Sequence, residues 1–335
     1  MIPPLFNPSN DMALASGLAR YTPPPRIQQM EHDLASLSRF WDEGPWGWSL
    51  ATRTRYLDMG VPASLLPSDQ WLARHRRLSS RAFACDYLAR LLDCLSDPRL
   101  VGHEMRFVNE DETLRYENEN EDENQNETLR YENSNALSPN ALSPTAPLIF
   151  KSPWSSSGRG LAVAPHGVTP EVRSRLRGFV RRQGGFLVDR YYANKQVDFA
   201  MEFHVHGPDD VEFLGYSLFL TDSRGAYRGN LLASQSQLQR LTAADEGLLS
   251  TLRDYHLRSL GRLDYRGPLG IDMMTLSDGR LHPVVEINLR RTMGSLALTL
   301  FRQGITSPCA LTPALSGNGF QAVVSHGLLR ITYRS

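Results

Sequence analysis

Hydrophobic positions recur along the chain at two spacings, and these spacings predict where helices and strands form. In residues 78–95 the apolar side chains fall every three or four positions, so they form one stripe on a helix. Residues 169–183 predict an arginine-rich helix that Gly184 and Gly185 close. Residues 197–205 alternate polar and apolar positions, and residues 211–222 continue with a further strand, which predicts an antiparallel sheet.

The first 105 residues combine a short apolar run with helical segments. Residues 2–6 predict a strand, and the turn-forming cluster at 7–11 provides a start for the helix that follows. Further helical segments alternate with proline- and glycine-rich breaks. We therefore expect a small α/β lobe over residues 1–105.

Residues 270–294 predict a hairpin that carries three oxygen-bearing side chains. Asp272 lies on its first strand, and Glu286 and Asn288 lie on its second. Side chains two positions apart on a strand share a face, so Glu286 and Asn288 point the same way. Carboxylate and amide oxygens are hard ligands, which suit Mg²⁺ rather than zinc or a redox metal.

The turn of this hairpin decides whether Asp272 joins the other two side chains. A two-residue turn at Asp278 and Gly279 would send the carboxylates to opposite faces. A three-residue loop with a left-handed Gly279 restores a shared face, as does a bulge at Pro283, and we expect one of these irregularities. The alternative is an ordinary hairpin with a solvated acidic face.

A second candidate site is a lysine followed by a loop of small residues. The apolar strand 148–150 leads to Lys151, and the sequence SPWSSSGRG follows. Small residues let the backbone approach a phosphate, and a lysine adds positive charge. The P-loop pattern GxxxxGK[ST] is absent, so a plain connecting loop is the alternative. Arg290 precedes a predicted helix at 295–302, whose N-terminus would favour an anion.

Residues 106–146 differ from the rest of the chain in composition. The sequence ETLRYEN occurs at 112–118 and again at 127–133, and NALSP occurs in tandem at 135–139 and 140–144. The segment has few apolar side chains, and burying them could not offset the conformational entropy that ordering the segment would cost. We therefore interpret it as an acidic, disordered insertion. The alternative is an acidic arm that recruits a basic partner.

Composition excludes several classes of protein. The 335 residues have a formal net charge of zero, which gives no overall field for attracting nucleic acid or an anionic membrane. The three cysteines form no CxxC pair, and no apolar run is long enough to span a membrane. The N-terminal residues lack the layout of a signal peptide. We therefore expect a cytoplasmic protein.

Taken in order, these segments resemble the ATP-grasp superfamily over residues 148–300. The resemblance is carried by Lys151 before the SSSGRG loop, the strand LVDRYY, Asp198, and the sequence GIDMM…DG…VVEINLR. It implies an α+β fold in which two α+β subdomains clasp ATP, preceded by a small α/β lobe. The implied boundaries are 1–105 for that lobe, 106–146 for the insertion, 147–190 for the central subdomain and 191–335 for the C-terminal subdomain.

The resemblance also implies roles for individual residues. Asp272, Glu286 and Asn288 would bind Mg²⁺ or Mn²⁺, while Lys151 and Arg290 would act on the phosphates and the acyl phosphate. Nucleotide contacts are implied for the following residues: Lys151, Ser155, Ser156, Ser157, Gly158, Gly160, Leu187, Val188, Asp189, Arg190 and Asp198. Glu202 is the alternative to Asp198 as the ribose ligand, and Arg81 is the candidate for a second phosphate-binding cation. Asp189 stands where such hinges usually carry glutamate.

The activity implied is that of an ATP-dependent ligase. Such enzymes transfer the γ-phosphoryl group of Mg-ATP to a carboxylate, and an amine or thiol then attacks the acyl phosphate. The expected partners are a small-molecule or peptide carboxylate and an amine nucleophile, with no nucleic acid or membrane, in a protein expected to form a homodimer. A kinase-like phosphotransferase and a non-catalytic nucleotide-binding module are the alternatives.

Overall fold

A computed structural model describes most of the chain. The described ranges are 1–109, 147–155, 160–222, 225–313 and 317–334. Residues 110–146, which make up most of the predicted insertion, lie outside these ranges. Residues 106–109, which the sequence analysis placed in the insertion, instead form a strand, because Val108 packs against Phe150 and Phe186 in the core.

The described residues form helices and antiparallel sheets, which confirms the expected α+β class. The helices are α1 (Asn10–Ser16), α2 (Pro25–Asp33), α3 (Leu50–Asp58), α4 (Asp69–Leu78), α5 (Arg81–Leu95), α6 (Pro170–Gln183), α7 (Gln235–Leu241), α8 (Glu246–Leu260) and α9 (Met293–Arg302), with short 3₁₀ helices at Ala35–Phe40 and Ala63–Leu65. The strands are β1 (Arg106–Asn109), β2 (Leu148–Lys151), β3 (Leu161–Ala164), β4 (Gly185–Arg190), β5 (Lys195–Gly207), β6 (Asp210–Thr221), β7 (Tyr227–Leu231), β8 (Gly267–Leu276), β9 (Leu281–Asn288), β10 (Cys309–Ala310), β11 (Gly319–Ser325) and β12 (Leu328–Arg334).

The strands belong to two sheets. The smaller has the order β1-β4-β2-β3, and the larger has the order β10-β11-β12-β7-β6-β5-β8-β9. Helix α6 packs on the smaller sheet, where its Thr169 N-cap and left-handed Gly184 fit the predicted ends. Helix α8 packs its leucines on the apolar face of the larger sheet, opposite Phe199, Ile271 and Met273.

The β8–β9 hairpin contains both of the irregularities that the sequence allowed. Leu276 N–H donates to Arg280 O at 2.9 Å, so residues 277–279 form a three-residue loop, and Gly279 has φ +83°. The register then shifts between the pairs Met274–His282 and Asp272–Glu286, which places a bulge around Pro283. The prediction of an irregular hairpin is confirmed.

The helices and strands named above include only helices within residues 1–105. The strand expected at 2–6 is reduced to one isolated bridge, between Leu5 and Pro45, because Pro3 and Pro4 have no N–H to donate to a ladder. Helix α5 extends from this lobe to the edge strand β9 of the larger sheet and to β1 of the smaller one. Its first residue, Arg81, thereby reaches the space between the sheets.

Candidate active site

The three side chains predicted to hold a metal ion lie on one face of the larger sheet. Asp272 pairs directly with Glu286 across β8 and β9, and Gly270 pairs with Asn288 in the next row. On the other side of β8, Gly270 pairs with Glu202 of β5. Four oxygen-bearing side chains therefore occupy two adjacent rows of the same face.

Asp272 is surrounded by groups that disfavour its charge. Burial raises the pKa of Asp272 well above its ordinary value, and Glu286 and Glu202 raise it further. Asn288 Nδ2 donates to Asp272 Oδ2 at 3.1 Å, which opposes the shift. A cation bound at this point would relieve the repulsion between the carboxylates.

Glu202 is almost fully buried beside the first turn of α9. Its oxygens accept hydrogen bonds from Ser217 Oγ at 2.8 Å and from Thr292 Oγ1 at 2.8 Å. A Cβ on Gly294 would lie 2.1 Å from Glu202 Oε1, so only glycine fits there. Burial raises the pKa of Glu202 to about 7, although the two hydroxyls and Arg290 act in the opposite direction. Glu202 is therefore enclosed by its own sheet and helix.

Arg81 joins the acidic face to the loop after β2. Its Nη2 donates to both carboxylate oxygens of Glu286 at 2.8 Å, and its Nη1 donates to Ser152 O at 2.6 Å and Ser155 Oγ at 2.7 Å. The Arg81 side chain is 5% exposed and the Glu286 side chain is 25% exposed, so the arginine end of this contact is shielded from solvent. The weak sequence candidate for a second cation therefore lies at the site, in contact with a predicted metal ligand.

Lys151 is buried at the end of β2, where Asp189 and Glu286 act on it. Burial lowers the pKa of Lys151, and those two carboxylates oppose the shift. Asp189 Oδ2 lies 3.2 Å from Nε2 of the buried His282. Burial acts to raise the pKa of Asp189, but His282 and Lys151 outweigh it, so the net shift is downward. The side chain of Asp189 is thus part of a buried charge cluster that links the two sheets.

Arg290 points toward the N-terminal lobe, where Asp11 holds it. Its Nε and Nη2 donate to the Asp11 carboxylate at 3.0 and 2.8 Å. Burial would lower the pKa of Arg290, but Asp11 outweighs it and the net shift is upward. Both residues line one cleft, together with Glu286, Asn288 and Ser155. This cleft brings together part of the loop after Lys151, two of the three predicted metal ligands and the predicted arginine.

The loop after β2 is held at both of its described ends. Ser152 N–H donates to Gly160 O at 2.8 Å, and a Cβ on Gly160 would lie 2.1 Å from Ser152 Oγ. Trp154 packs against α4, since its Nε1 donates to Arg76 O at 3.0 Å and the Arg76 guanidinium lies over its ring. Three predicted phosphate contacts in this loop lie outside the described residues: Ser156, Ser157 and Gly158.

The predicted adenine and ribose contacts lie on β4 and β5. Leu187 and Val188 are buried and have strands on both sides, whereas Arg190 lies beyond the end of β1 and is exposed. Their contact with adenine stays a prediction. Asp198 shares the face of Glu202 and forms an ion pair with Lys195 at 2.5 Å. Asp198 is the more accessible of the two acids proposed for the ribose.

The oxygen-bearing side chains at this site fit a hard divalent ion that would also contact the phosphates of a nucleotide. Among the described residues, no three Asp, Glu, His or Cys side chains converge on one point. An ion here would therefore take two carboxylates, Asp272 and Glu286, and the amide oxygen of Asn288. Mg²⁺ is commonly bound by one or two carboxylates plus phosphate oxygens and water, so the residues present fit it.

Sequence reasoning missed Asp11 and His282 as parts of this site. Asp11 stands in a cluster of turn-forming residues that predicts a helix start, and nothing in that cluster indicates a distant arginine. His282 pairs with Met274, in the row next to Asp272 and Glu286 on the opposite side from Asn288. The position of His282 on this hairpin could have indicated that it belongs to the site, but the row in which it lies depends on the hairpin register.

Comparison with known proteins gives one curated relative. No family model matches the sequence. Over 166 residues the chain is 30% identical to butirosin acyl-carrier protein–L-glutamate ligase of Niallia circulans, a match that covers 45% of this chain and 35% of that ligase. The chain therefore spans about a third of the length of the curated relative it matches.

Several solved structures have a loosely similar shape. The biotin carboxylase domain of Hydrogenobacter thermophilus 2-oxoglutarate carboxylase gives a TM-score of 0.46 at 10% identity, over 77% of this chain and 62% of that one. The Bacillus licheniformis L-amino acid ligase gives a TM-score of 0.38 at 13% identity, over 71% of this chain and 45% of that one. The chain is thus similar in sequence to a ligase, as the ATP-grasp resemblance implies, and it has the expected α+β architecture.

Proposed function

We propose that this chain is an ATP-dependent carboxylate–amine ligase that works through an acyl phosphate. The observation that carries this proposal is the meeting of two opposite sets of side chains around Glu286. Asp272, Glu286 and Asn288 supply hard oxygen ligands from the larger sheet, and Lys151 and Arg81 supply buried positive charge from the facing side. This combination suits a metal-bound triphosphate.

The side chains at this site would position the reactants and neutralise the negative charge of the phosphates. A substrate carboxylate oxygen would attack the γ-phosphorus, the bond to the β–γ bridging oxygen would break, and ADP would leave. An amine nitrogen would then attack the acyl carbon, releasing phosphate and a proton to water. Mg²⁺ held by the carboxylates would neutralise phosphate charge, while Lys151 would hold the phosphates and Arg290 would stabilise the acyl phosphate.

The curated relative suggests which substrates to try first. Its name describes a ligase that joins L-glutamate to an acyl-carrier protein. We therefore propose an amino acid such as L-glutamate as one substrate, with a small molecule, a peptide or a carrier protein supplying the other reactive group. We also propose a cytoplasmic location and a homodimer. Among the described residues, the helices are too short or too polar to cross a membrane.

A coupled assay tests the proposal and separates its alternatives. Purified protein with Mg-ATP is screened against amino acids and small peptides, beginning with L-glutamate, and ADP, phosphate and hydroxylamine-trapped acyl phosphate are measured. A ligase releases ADP and phosphate together and gives hydroxamate when hydroxylamine is present. A phosphotransferase releases ADP without phosphate.

Two variants locate the activity in the proposed cleft. Glu286→Gln removes a metal ligand and is expected to abolish turnover, whereas Glu246→Gln changes an exposed carboxylate of α8 and is expected to retain it. Activity that persists in Glu286→Gln would refute the metal assignment. Binding of Mg-ATP without turnover for any carboxylate would refute the enzymatic proposal.

A further inference from the structure

A second pocket lies on the other side of the segment that carries Arg290. Arg290 lines the cleft described above, whereas its neighbour Arg291 lines this second pocket. Arg291 N–H donates to Trp46 O at 2.8 Å, which joins the loop at 40–46 to that segment and forms a wall of the pocket. The proposed ligase chemistry uses no side chain of this pocket.

Most of the pocket wall is apolar and aromatic. The loop at 40–46 contributes Phe40, Trp41 and Trp46, and α9 contributes Leu296 and Leu298. The Trp41 and Trp46 rings lie 5.8 Å apart at a tilt of 58°, and Trp41 is held by a hydrogen bond from its Nε1 to Gly44 O. Aromatic and aliphatic walls with a few polar groups are typical of sites for small organic ligands.

Arg291 has less hydrogen bonding than a largely enclosed guanidinium needs. Its Nη2 donates to Glu43 O at 3.1 Å, and its guanidinium carbon lies 5.0 Å from the centre of the Trp41 ring. Its Nε is buried and has no hydrogen-bond partner. Asp42 and Glu43 are exposed, and within the described ranges neither forms an ion pair with Arg291. A buried donor without a partner is costly, so the site favours an anion.

The other polar groups of the pocket are already engaged within the protein. Ser295 Oγ donates to Thr292 O, Thr299 Oγ1 donates to Ser295 O, and Arg302 Nη2 donates to Leu214 O. His204 is stacked on His206, with ring centres 4.4 Å apart, and burial lowers its pKa, so it is neutral at pH 7. Arg291 and Arg302 are therefore the positive groups of the pocket, and Arg291 is the one whose guanidinium lies over an aromatic wall residue.

We propose that this pocket binds a small carboxylate with a flat apolar body. The carboxylate would pair with the Arg291 guanidinium in the two-point geometry that arginine favours, and the flat body would lie against the aromatic wall. The site is separate from the nucleotide cleft, so this proposal does not depend on the proposed ligase function.

Isothermal titration calorimetry of the full chain, without nucleotide, tests the site. The probes are benzoate and phenylacetate, and phenylacetamide is the neutral control with the same ring. We expect saturable binding of the carboxylates with dissociation constants below about 1 mM, and binding of the amide that is weaker by at least about tenfold, because the amide has no charge to pair with the guanidinium. Equal binding of phenylacetate and phenylacetamide, or no saturation by about 10 mM, would overturn the proposal.

Matched variants place the binding at Arg291. Arg291→Met keeps the length of the side chain but removes its charge and is expected to weaken phenylacetate binding by at least about tenfold. Arg39→Met is the control, because Arg39 also lies over an aromatic ring, that of Phe40, but is exposed. The affinity of Arg39→Met for phenylacetate should change by less than about twofold. If Arg291→Met fails to fold by circular dichroism, Trp41→Ala takes its place, and unchanged affinity in the folded variant would refute the site.

Discussion

Replacing Glu202 with glutamine is expected to stabilise the protein above neutral pH and to leave its stability nearly unchanged near pH 4. Glu202 is 1% exposed, and burial raises the pKa of its carboxyl group from 4.5 to about 7. In the unfolded chain the group ionises near its ordinary value, so the folded state binds the extra proton between these two pH values. Stability is therefore lost as the pH rises through that window.

The size of the effect follows from the width of the window. Each pKa unit corresponds to 1.36 kcal/mol, so the ionised carboxylate costs the folded state about 3 kcal/mol above pH 7. Glutamine resembles the protonated form in shape, and the hydroxyls of Ser217 and Thr292 can reorient to accept from its amide. The variant should thus match the wild type near pH 4 and exceed its free energy of unfolding by about 3 kcal/mol at pH 8.

Urea unfolding followed by tryptophan fluorescence at pH 4 to 9, in EDTA, measures this difference. Glu246→Gln is the control, because it makes the same change at an exposed position and should alter the free energy of unfolding by less than about 0.5 kcal/mol at each pH. A difference between Glu202→Gln and the wild type that is constant across the pH range would refute the reasoning. So would a variant that is less stable at pH 8.

Three further results are expected from the contacts around the cleft. Arg81→Met leaves the Glu286 carboxylate without its cation and should lower the free energy of unfolding by about 3 kcal/mol in urea denaturation; no loss would contradict the contact. Asp11→Asn releases Arg290 from a two-point ion pair, so steady-state kinetics of the proposed ligation should show a fall of about tenfold in kcat with a smaller change in KM, and unaltered kcat would exclude a positioning role. Burial raises the pKa of Cys85 to about 12, so an aromatic disulfide reagent should titrate only the two exposed thiols before urea is added.

The hairpin at 270–288 shows how far sequence alone specifies the fold. Its period-two pattern fixes which side chains share a face on each strand, and turn length fixes how the two strands match. Gly279 and Pro283 are therefore sufficient to predict an irregular register from the sequence. The same reasoning failed at residues 2–6, where two prolines prevent strand pairing that the apolar pattern favoured.

The long-range ion pairs of the cleft could not be predicted in the same way. Arg81 and Glu286 are 205 positions apart, and Asp11 and Arg290 are 279 positions apart, so no local spacing connects them. Each pair depends on how the N-terminal helices dock against the sheets. The proximity of Asp272, Glu286 and Asn288 was predictable because they share one hairpin, whereas the cations near them come from distant parts of the chain.

Two charged residues of the N-terminal lobe balance charges on the larger sheet and on the segment after it. The polar face of the larger sheet places Asp272, Glu286 and Glu202 within mutual influence, and burial makes that arrangement costly. One arginine of this lobe, Arg81, contacts the face directly, while an aspartate of the same lobe holds the guanidinium of Arg290. A ligand that brought its own cation to these carboxylates would compete with Arg81 for Glu286. Because Arg81 contacts both Glu286 and the loop after β2, we expect a ligand that displaces it from Glu286 to weaken the docking of α5 and of that loop together.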